Sequence, residues 1–309
     1  MSGAEAYERF KQAGGVADLS ARARFRLTGA DRVRYLNGQV SNDARKASSE
    51  KAIHACLMTA KGKMCADVFI SAAPDFLSVD ADAPLRESLA ARLERYIISD
   101  DVTLRDVTDE TCLLHVFGAV AEPQLRGLQI LRAERFGRPG FDLVGPRDLR
   151  DSALAQLSGT CALLEEETLE VLRVEAGVPR WGFELTEETI PVEAGLEKTA
   201  VDYEKGCYIG QEVISRLRSI GHVNKELRGF VGEHDARLAS GMRLHDPTAS
   251  DKECGWLTSA VFSRGLDRHA ALGYLKRGVT ARRLDARDAG SGKHICAVQV
   301  RELPLIPCT

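Results

Sequence analysis

The sequence predicts an α+β body followed by a small all-β barrel, and three observations carry that reading. The chain has 309 residues, more than one ordinary core organises, so about two domains are expected. Through the first two thirds, apolar residues recur sometimes every second position and sometimes at helical spacing, which mixes strands with helices. From residue 225 onward only short strand-like runs remain, separated by Gly, Asp and Ser turns. The expected division is 1–224 for the body, itself two intertwined subdomains, and 225–309 for the barrel.

Taken in chain order, Phe25 and Leu27 alternate with Arg24 and Arg26 ahead of Thr28-Gly29, the pattern of a half-buried strand ending in a turn. Asp31 then offers an N-cap, and Val33, Leu36 and Val40 recur at helical spacing, with Asn37-Gly38 weakening the later part of that helix. Apolar runs at 53–59 and 64–71 flank Ala60-Lys61-Gly62-Lys63, which predicts a hairpin with Gly62 at a positive-φ position. Pro84 at a first helical position, followed by Leu85, Leu89, Leu93, Tyr96 and Ile97, predicts an amphipathic helix. Further strands are expected at 102–107, 113–117 and 141–144, helices at 149–157 and 168–175, and barrel strands at 228–231, 256–262, 271–275 and 295–300.

Composition narrows the function classes. Apolar residues at 44% and charged residues at 28% supply a buried core and give no case for disorder. Forty-two Lys and Arg against 45 Asp and Glu leave a net charge of −3, so no direct nucleic-acid binding is expected. With no 18-residue apolar run and no apolar leader in the first twenty residues, a soluble cytoplasmic protein without a membrane partner is expected. The eight cysteines form no C-x-x-C pair, and the seven histidines no zinc-like spacing, so reduced thiols and no metal centre are expected. The stretch Gly290-Ser291-Gly292-Lys293-His294 fails as a phosphate loop, since Arg287 and His294 stand where Gly and Ser or Thr are needed. Neither a dinucleotide fingerprint nor a hydrolase elbow occurs.

The densest local signal is Lys205-Gly206-Cys207-Tyr208-Ile209-Gly210-Gln211-Glu212, followed by Val213, Ile214 and Leu217 on a helical stripe. Unpaired N–H groups and the positive end of a helix favour a thiolate at Cys207, and a nearby Lys205 ammonium adds to that. The other reading of Cys207 is a small buried hydrophobe beside turn glycines.

This octapeptide resembles the signature of the YgfZ family of folate-binding proteins, relatives of the glycine-cleavage T-protein. Upstream, Ala60-Lys61-Gly62-Lys63-Met64 is similar to that family's hairpin, and Leu36-Asn37-Gly38-Gln39-Val40-Ser41-Asn42-Asp43 to its N-terminal helix segment. Downstream, Gly255-Trp256-Leu257-Thr258-Ser259 resembles the G-x-x-T-S element of the superfamily's C-terminal barrel, so the resemblance spans nearly the whole chain. It implies a T-protein-like body with a tetrahydrofolate, or a one-carbon derivative, in a central channel against which the barrel packs. It also implies service to iron-sulfur client enzymes or assembly factors in maturation or repair, and through them to tRNA modification, with Cys207 as the functional thiol.

The segment Val174-Glu175-Ala176-Gly177-Val178-Pro179 looks like the superfamily's E-A-G-x-P segment, which makes Glu175 the candidate pterin ligand. A carboxylate accepts the pterin's amine and ring N–H side by side. Without the resemblance Glu175 reads as an exposed helix-end residue. Arg216, Arg218, Lys225 and Arg228 are candidates for the anionic glutamate tail or simply a solvated face, and Arg228 and Tyr208 complete the cofactor set. The aminomethyltransferase relatives carry a catalytic aspartate after their hairpin turn. Aligned on Gly62, that position here is Ala66, and Asp67 one residue on would point to the opposite face of a strand. Loss of aminomethyl transfer with folate binding retained is therefore expected. The competing readings are a folate-dependent aminomethyltransferase and a non-catalytic folate-sensing scaffold or RNA-associated factor.

Overall fold

The computed structural model describes residues 2–219, 221–234, 236–249 and 252–307. The chain divides into two units, Met1–Glu165 with Leu196–Ser219, and Glu166–Gly195 with Ile220–Thr309. The segment Glu166–Gly195, expected in the first body, thus groups with the barrel.

In the first unit one sheet has the order β10 (Ala162–Leu164), β1 (Gly15–Asp18), β7 (Thr111–Phe117), β9 (Pro139–Pro146) and β8 (Gln129–Glu134). The other has the order β3 (Ile53–Met58), β4 (Met64–Ala72), β5 (Leu77–Ala81), β2 (Ala23–Thr28) and β6 (Thr103–Asp106). Among the described strands of this unit β1 and β10 are the one parallel pair, with an isolated parallel bridge between Lys51 and Arg132. Helices α1 (Gly3–Ala13), α2 (Arg32–Gln39), α3 (Arg86–Glu94), α4 (Arg150–Ser158) and, on the returning segment, α6 (Gln211–Ser219) belong to this unit.

The two sheets are joined by buried charge. Arg135, between β8 and β9, bonds Asp80 of β5 at 2.7 Å and Asp142 of β9 at 2.7 Å, and Asp142 also meets His115 Nδ1 of β7 at 2.8 Å. A bidentate guanidinium between two carboxylates suits such a join because its five donors are planar and fixed. Burial pushes the Asp80 and Asp142 carboxyls up, but Arg135 outweighs it and both lie below the ordinary aspartate value. Arg24 of β2, also buried, donates to Thr111 Oγ1 of β7 at 2.7 Å and to the Ser20 carbonyl.

In the second unit β11 (Lys225–Gly232), β14 (Arg268–Lys276), β13 (Lys252–Ser263), β12 (Arg243–Asp246), β15 (Arg283–Arg287) and β16 (His294–Arg301) close into a barrel. Phe230, Leu244, Leu257, Leu284 and Val298 fill it. Helix α5 (Glu166–Ala176) belongs here because Val174 packs with Leu227, Leu272 and Tyr274 of the barrel wall.

The expected strands, the 53–71 hairpin and its Gly62 at φ +72° are all present. Two helical details differ. Asp31 caps nothing with its side chain; its carboxylate instead accepts the Asp101 N–H at 2.9 Å. Pro84 sits in a 3₁₀ turn, Ala83–Leu85, and α3 stops at Glu94, so Tyr96 lies beyond it with the Arg92 guanidinium 4.1 Å above its ring.

Replacing Arg135 by Met takes the shared guanidinium from two buried carboxylates, leaving Asp80 with Arg22 alone and Asp142 with His115 alone, and is expected to cost about 3–5 kcal/mol, read as the urea unfolding midpoint at pH 7. Because the folded carboxyls titrate below the ordinary aspartate value, their contribution is complete above about pH 4 and lost as pH falls through the lower folded values. The wild-type midpoint should therefore drop on acidification below about pH 4, and a flat profile there would remove the network from the account.

Candidate functional site

The loop carrying Cys207 is fixed to residues 37–42 of the same unit by one buried lysine. Lys205 Nζ donates to the carbonyls of Asn37 at 2.7 Å, Val40 at 2.7 Å and Asn42 at 2.9 Å. It also lies 4.9 Å from the centre of the Tyr208 ring. An ammonium has three N–H donors, and three carbonyls receive them here. Burial pulls the Lys205 pKa down to about 8. Lys205, expected as a cation beside the thiol, thus serves as a tether for the loop.

The backbone completes the attachment. Ser41 Oγ accepts the Cys56 N–H at 2.8 Å and donates to the Ala200 carbonyl at 2.6 Å. The Ser41 carbonyl accepts the Asp202 N–H at 3.0 Å, and the Gly38 carbonyl accepts the Ile209 N–H at 3.2 Å. Lys46 pairs with Asp202 at 2.7 Å. Tyr208 is buried, and burial pushes its hydroxyl up to about 12. Cys207 itself is exposed, which sets aside the buried-hydrophobe reading.

Two glycines let the hairpin approach the start of α6. A Cβ on Gly62, at φ +72°, would fall 2.7 Å from Val213 Cβ, and one on Gly210, at φ +88°, would fall 2.8 Å from the Thr59 carbonyl. Both positions combine left-handed backbone with a close neighbour, which only glycine accommodates.

On β4 the alternation separates Ala66 from its successor. Ala66 is fully buried, whereas Asp67 projects from the other face and binds His54 Nε2, whose Nδ1 lies 3.1 Å from Thr199 Oγ1. His54 stacks on Phe69 with ring centres 4.7 Å apart. This Asp67-His54-Thr199 chain was not foreseen, since its members are scattered in sequence.

The second unit holds two buried carboxylates. Glu175, only 1% exposed, accepts Ser263 Oγ at 2.6 Å and the Gly265 N–H at 3.2 Å, so the exposed-residue reading does not hold. Glu184, also 1% exposed, accepts Thr258 Oγ1 and Ser259 Oγ on one oxygen, each at 2.6 Å. Its other oxygen accepts Arg173 Nη1 at 2.9 Å and the Arg180 N–H at 3.0 Å. Glu184 was not singled out in the sequence, although the Thr258-Ser259 element it binds was.

The four basic candidates divide. Arg216 and Arg218 lie on α6 of the first unit, with Arg218 4.1 Å above the Tyr203 ring. Lys225 and Arg228 lie on β11 of the second, Lys225 3.7 Å from Glu193 and Arg228 paired with Glu226.

Among the described residues all the cysteines are free thiols, Cys308 lying outside them, and no group of three or more His, Cys, Asp or Glu is placed to hold a metal ion. No helix among them is long and apolar enough to cross a membrane.

Comparison with known proteins agrees with this architecture. Residues 2–137 match the family model of the GCVT N-terminal domain. The tRNA-modifying protein YgfZ of Sodalis glossinidius is 27% identical over 232 residues, 70% of this chain and 70% of that protein. A mitochondrial iron-sulfur cluster assembly factor IBA57 homolog of Phaeosphaeria nodorum is 26% identical over 70% of this chain and 55% of its own. An aminomethyltransferase of Thermus thermophilus is 28% identical over 87% of this chain and 81% of its own. The glycine cleavage system aminomethyltransferase T of Bartonella henselae superposes with a TM-score of 0.85 at 19% identity, covering 99% of this chain and 90% of that one, which shows a shared fold.

Lys205→Met removes the donors from the buried Val40 carbonyl and the part-buried Asn37 and Asn42 carbonyls, at about 1–3 kcal/mol for a buried group left unsatisfied. The variant is expected to unfold earlier in urea and to show faster proteolytic cleavage within 199–210. Unchanged cleavage would show that the loop does not depend on this tether.

Proposed function

From a chain of the GcvT superfamily, with a GCVT N-terminal domain over residues 2–137, we propose a tetrahydrofolate-binding protein that serves the maturation or repair of iron-sulfur proteins. Its service to tRNA modification is then indirect. The observation that carries this reading is Cys207, an exposed thiol on a loop fastened at several points to its own unit. Thiolates suit both soft-metal and sulfur transfer, and a fastened loop presents one at a set position. The names of the YgfZ and IBA57 relatives support the same class of work.

The residues fit a folate in the chemistry of the acceptor. Glu175 is a buried carboxylate, an acceptor group of the kind that a pterin's amine and ring N–H require, and it accepts Ser263 and Gly265 on Oε1. Glu175 would hold the pterin's amine and ring N–H, with Arg228 of the same unit for the glutamate tail. Bound tetrahydrofolate supplies one-carbon or reducing equivalents. The chain's own contribution is to bind and orient it, and to keep Cys207 accessible.

The aminomethyltransferase reading draws support from the Thermus relative and the shared fold. Against it stands Ala66, a methyl group where the resemblance requires a carboxylate. The neighbouring Asp67 faces the other way and is held by His54.

A charge-assisted pair is worth about 1.5–3 kcal/mol, so Glu175→Gln should weaken tetrahydrofolate binding by roughly ten- to a hundredfold in calorimetric titration. A melting curve of the variant checks that the barrel survives. Absence of folate binding in the wild type would end the assignment. Cys207→Ala should retain folate affinity yet lower the activity of a client iron-sulfur enzyme in cells; full client activity would make the protein a folate-sensing scaffold. Turnover of an aminomethylated lipoyl carrier protein would establish the transferase instead.

A further inference from the structure

An open cleft of about 1280 Å³ lies wholly within the second unit, lined by β11, the ends of β15 and β16, and the segment after β16. It is larger than the roughly 300–1,000 Å³ of a usual small-molecule pocket. Five arginines line it, Arg228, Arg268, Arg282, Arg283 and Arg301, against two glutamates, Glu233 and Glu302, although the chain as a whole is negative. Arg283 is neutralised by Glu233 at 2.8 Å and Arg228 by Glu226. Arg301 donates to the neutral Gln299 at 2.8 Å, and Arg268 and Arg282 are exposed with no carboxylate partner among the described residues. Three guanidinium groups thus line one cleft outside any ion pair among the described residues, with Glu302 and with Glu233, which feels the Arg268 charge, as the carboxylates beside them.

Between these cations the surface is aliphatic, formed by Val231, Leu266, Val279, Ala281, Pro304 and Leu305. Among the described residues no aromatic ring lines the cleft, so it lacks the stacking platform on which single-stranded nucleic acid depends. The barrel is closed, so an extended partner cannot join it as an added strand and must be held by its side chains. An extended peptide points alternate side chains to opposite sides. Carboxylates on one side would meet the arginines while apolar side chains on the other would cover the aliphatic floor. We propose that this cleft docks an extended acidic segment of a partner protein, with aspartates or glutamates on Arg268, Arg282 and Arg301. The cleft shares Arg228 with the folate reading, but the docking residues Arg268, Arg282 and Arg301 have no part in it, so the proposal would stand if that reading failed.

The test is fluorescence anisotropy of the full chain with a labelled twelve-residue peptide of alternating Glu and Leu, its Gln-for-Glu counterpart, and a twelve-nucleotide single-stranded RNA. The acidic peptide should bind, weaken as salt is raised, and lose at least about tenfold in affinity for an Arg282→Glu, Arg301→Glu double variant. The milder Arg282→Gln, Arg301→Gln pair should show a smaller loss, and melting curves of both confirm the fold. Equal binding of the Gln peptide, unchanged affinity in both variants, tighter binding of the RNA, or no peptide binding at millimolar concentration would each overturn the proposal.

Discussion

The geometry of the cysteine loop depends on a single ammonium group shared among three backbone carbonyls. Lys205 reaches across more than 160 residues of chain to Asn37, Val40 and Asn42. A buried charge is tolerated only where polar atoms replace its water, and here the last turn of α2 and the residues just after it supply them. Burial lowers the affinity of that nitrogen for its proton, while the nearby Asp43 and Asp202 carboxylates act to keep it charged. Around this point Ser41, Gly62 and Gly210 fit the octapeptide, the hairpin and the end of α2 together.

Much of the fold was legible because local chemistry and tertiary structure agree. The 53–71 hairpin follows from Gly62 between two apolar runs, and the barrel from short strands between turns. Helix α1 was overlooked although Ser2 and Glu5 form a capping box, because its buried stripe is only Ala6, Tyr7 and Phe10. Strand β5 was hidden by Asp80, a buried charge within an apolar run, and its pairing with Arg135 and Arg22 explains why it is tolerated there.

The site was legible in identity and less so in role. Cys207 and Lys205 were singled out together because they are two residues apart. Sequence spacing does not say where a long side chain ends, and Lys205 ends among distant carbonyls. Glu175 was found through its motif, whereas Glu184 was missed because a glutamate without a motif reads as solvent-facing. Its burial becomes intelligible only once Arg173, Thr258 and Ser259 converge on it.

The discontinuity of the first unit bears on synthesis. Its early portion ends at Glu165, and the remaining piece, Leu196–Ser219, arrives only after thirty residues assigned to the other unit. A nascent chain emerging from the ribosome therefore holds the sheets and the Asn37–Asn42 carbonyls long before their lysine is translated. Until then that turn must keep its water, and the thiol loop is a late addition to a scaffold already largely assembled.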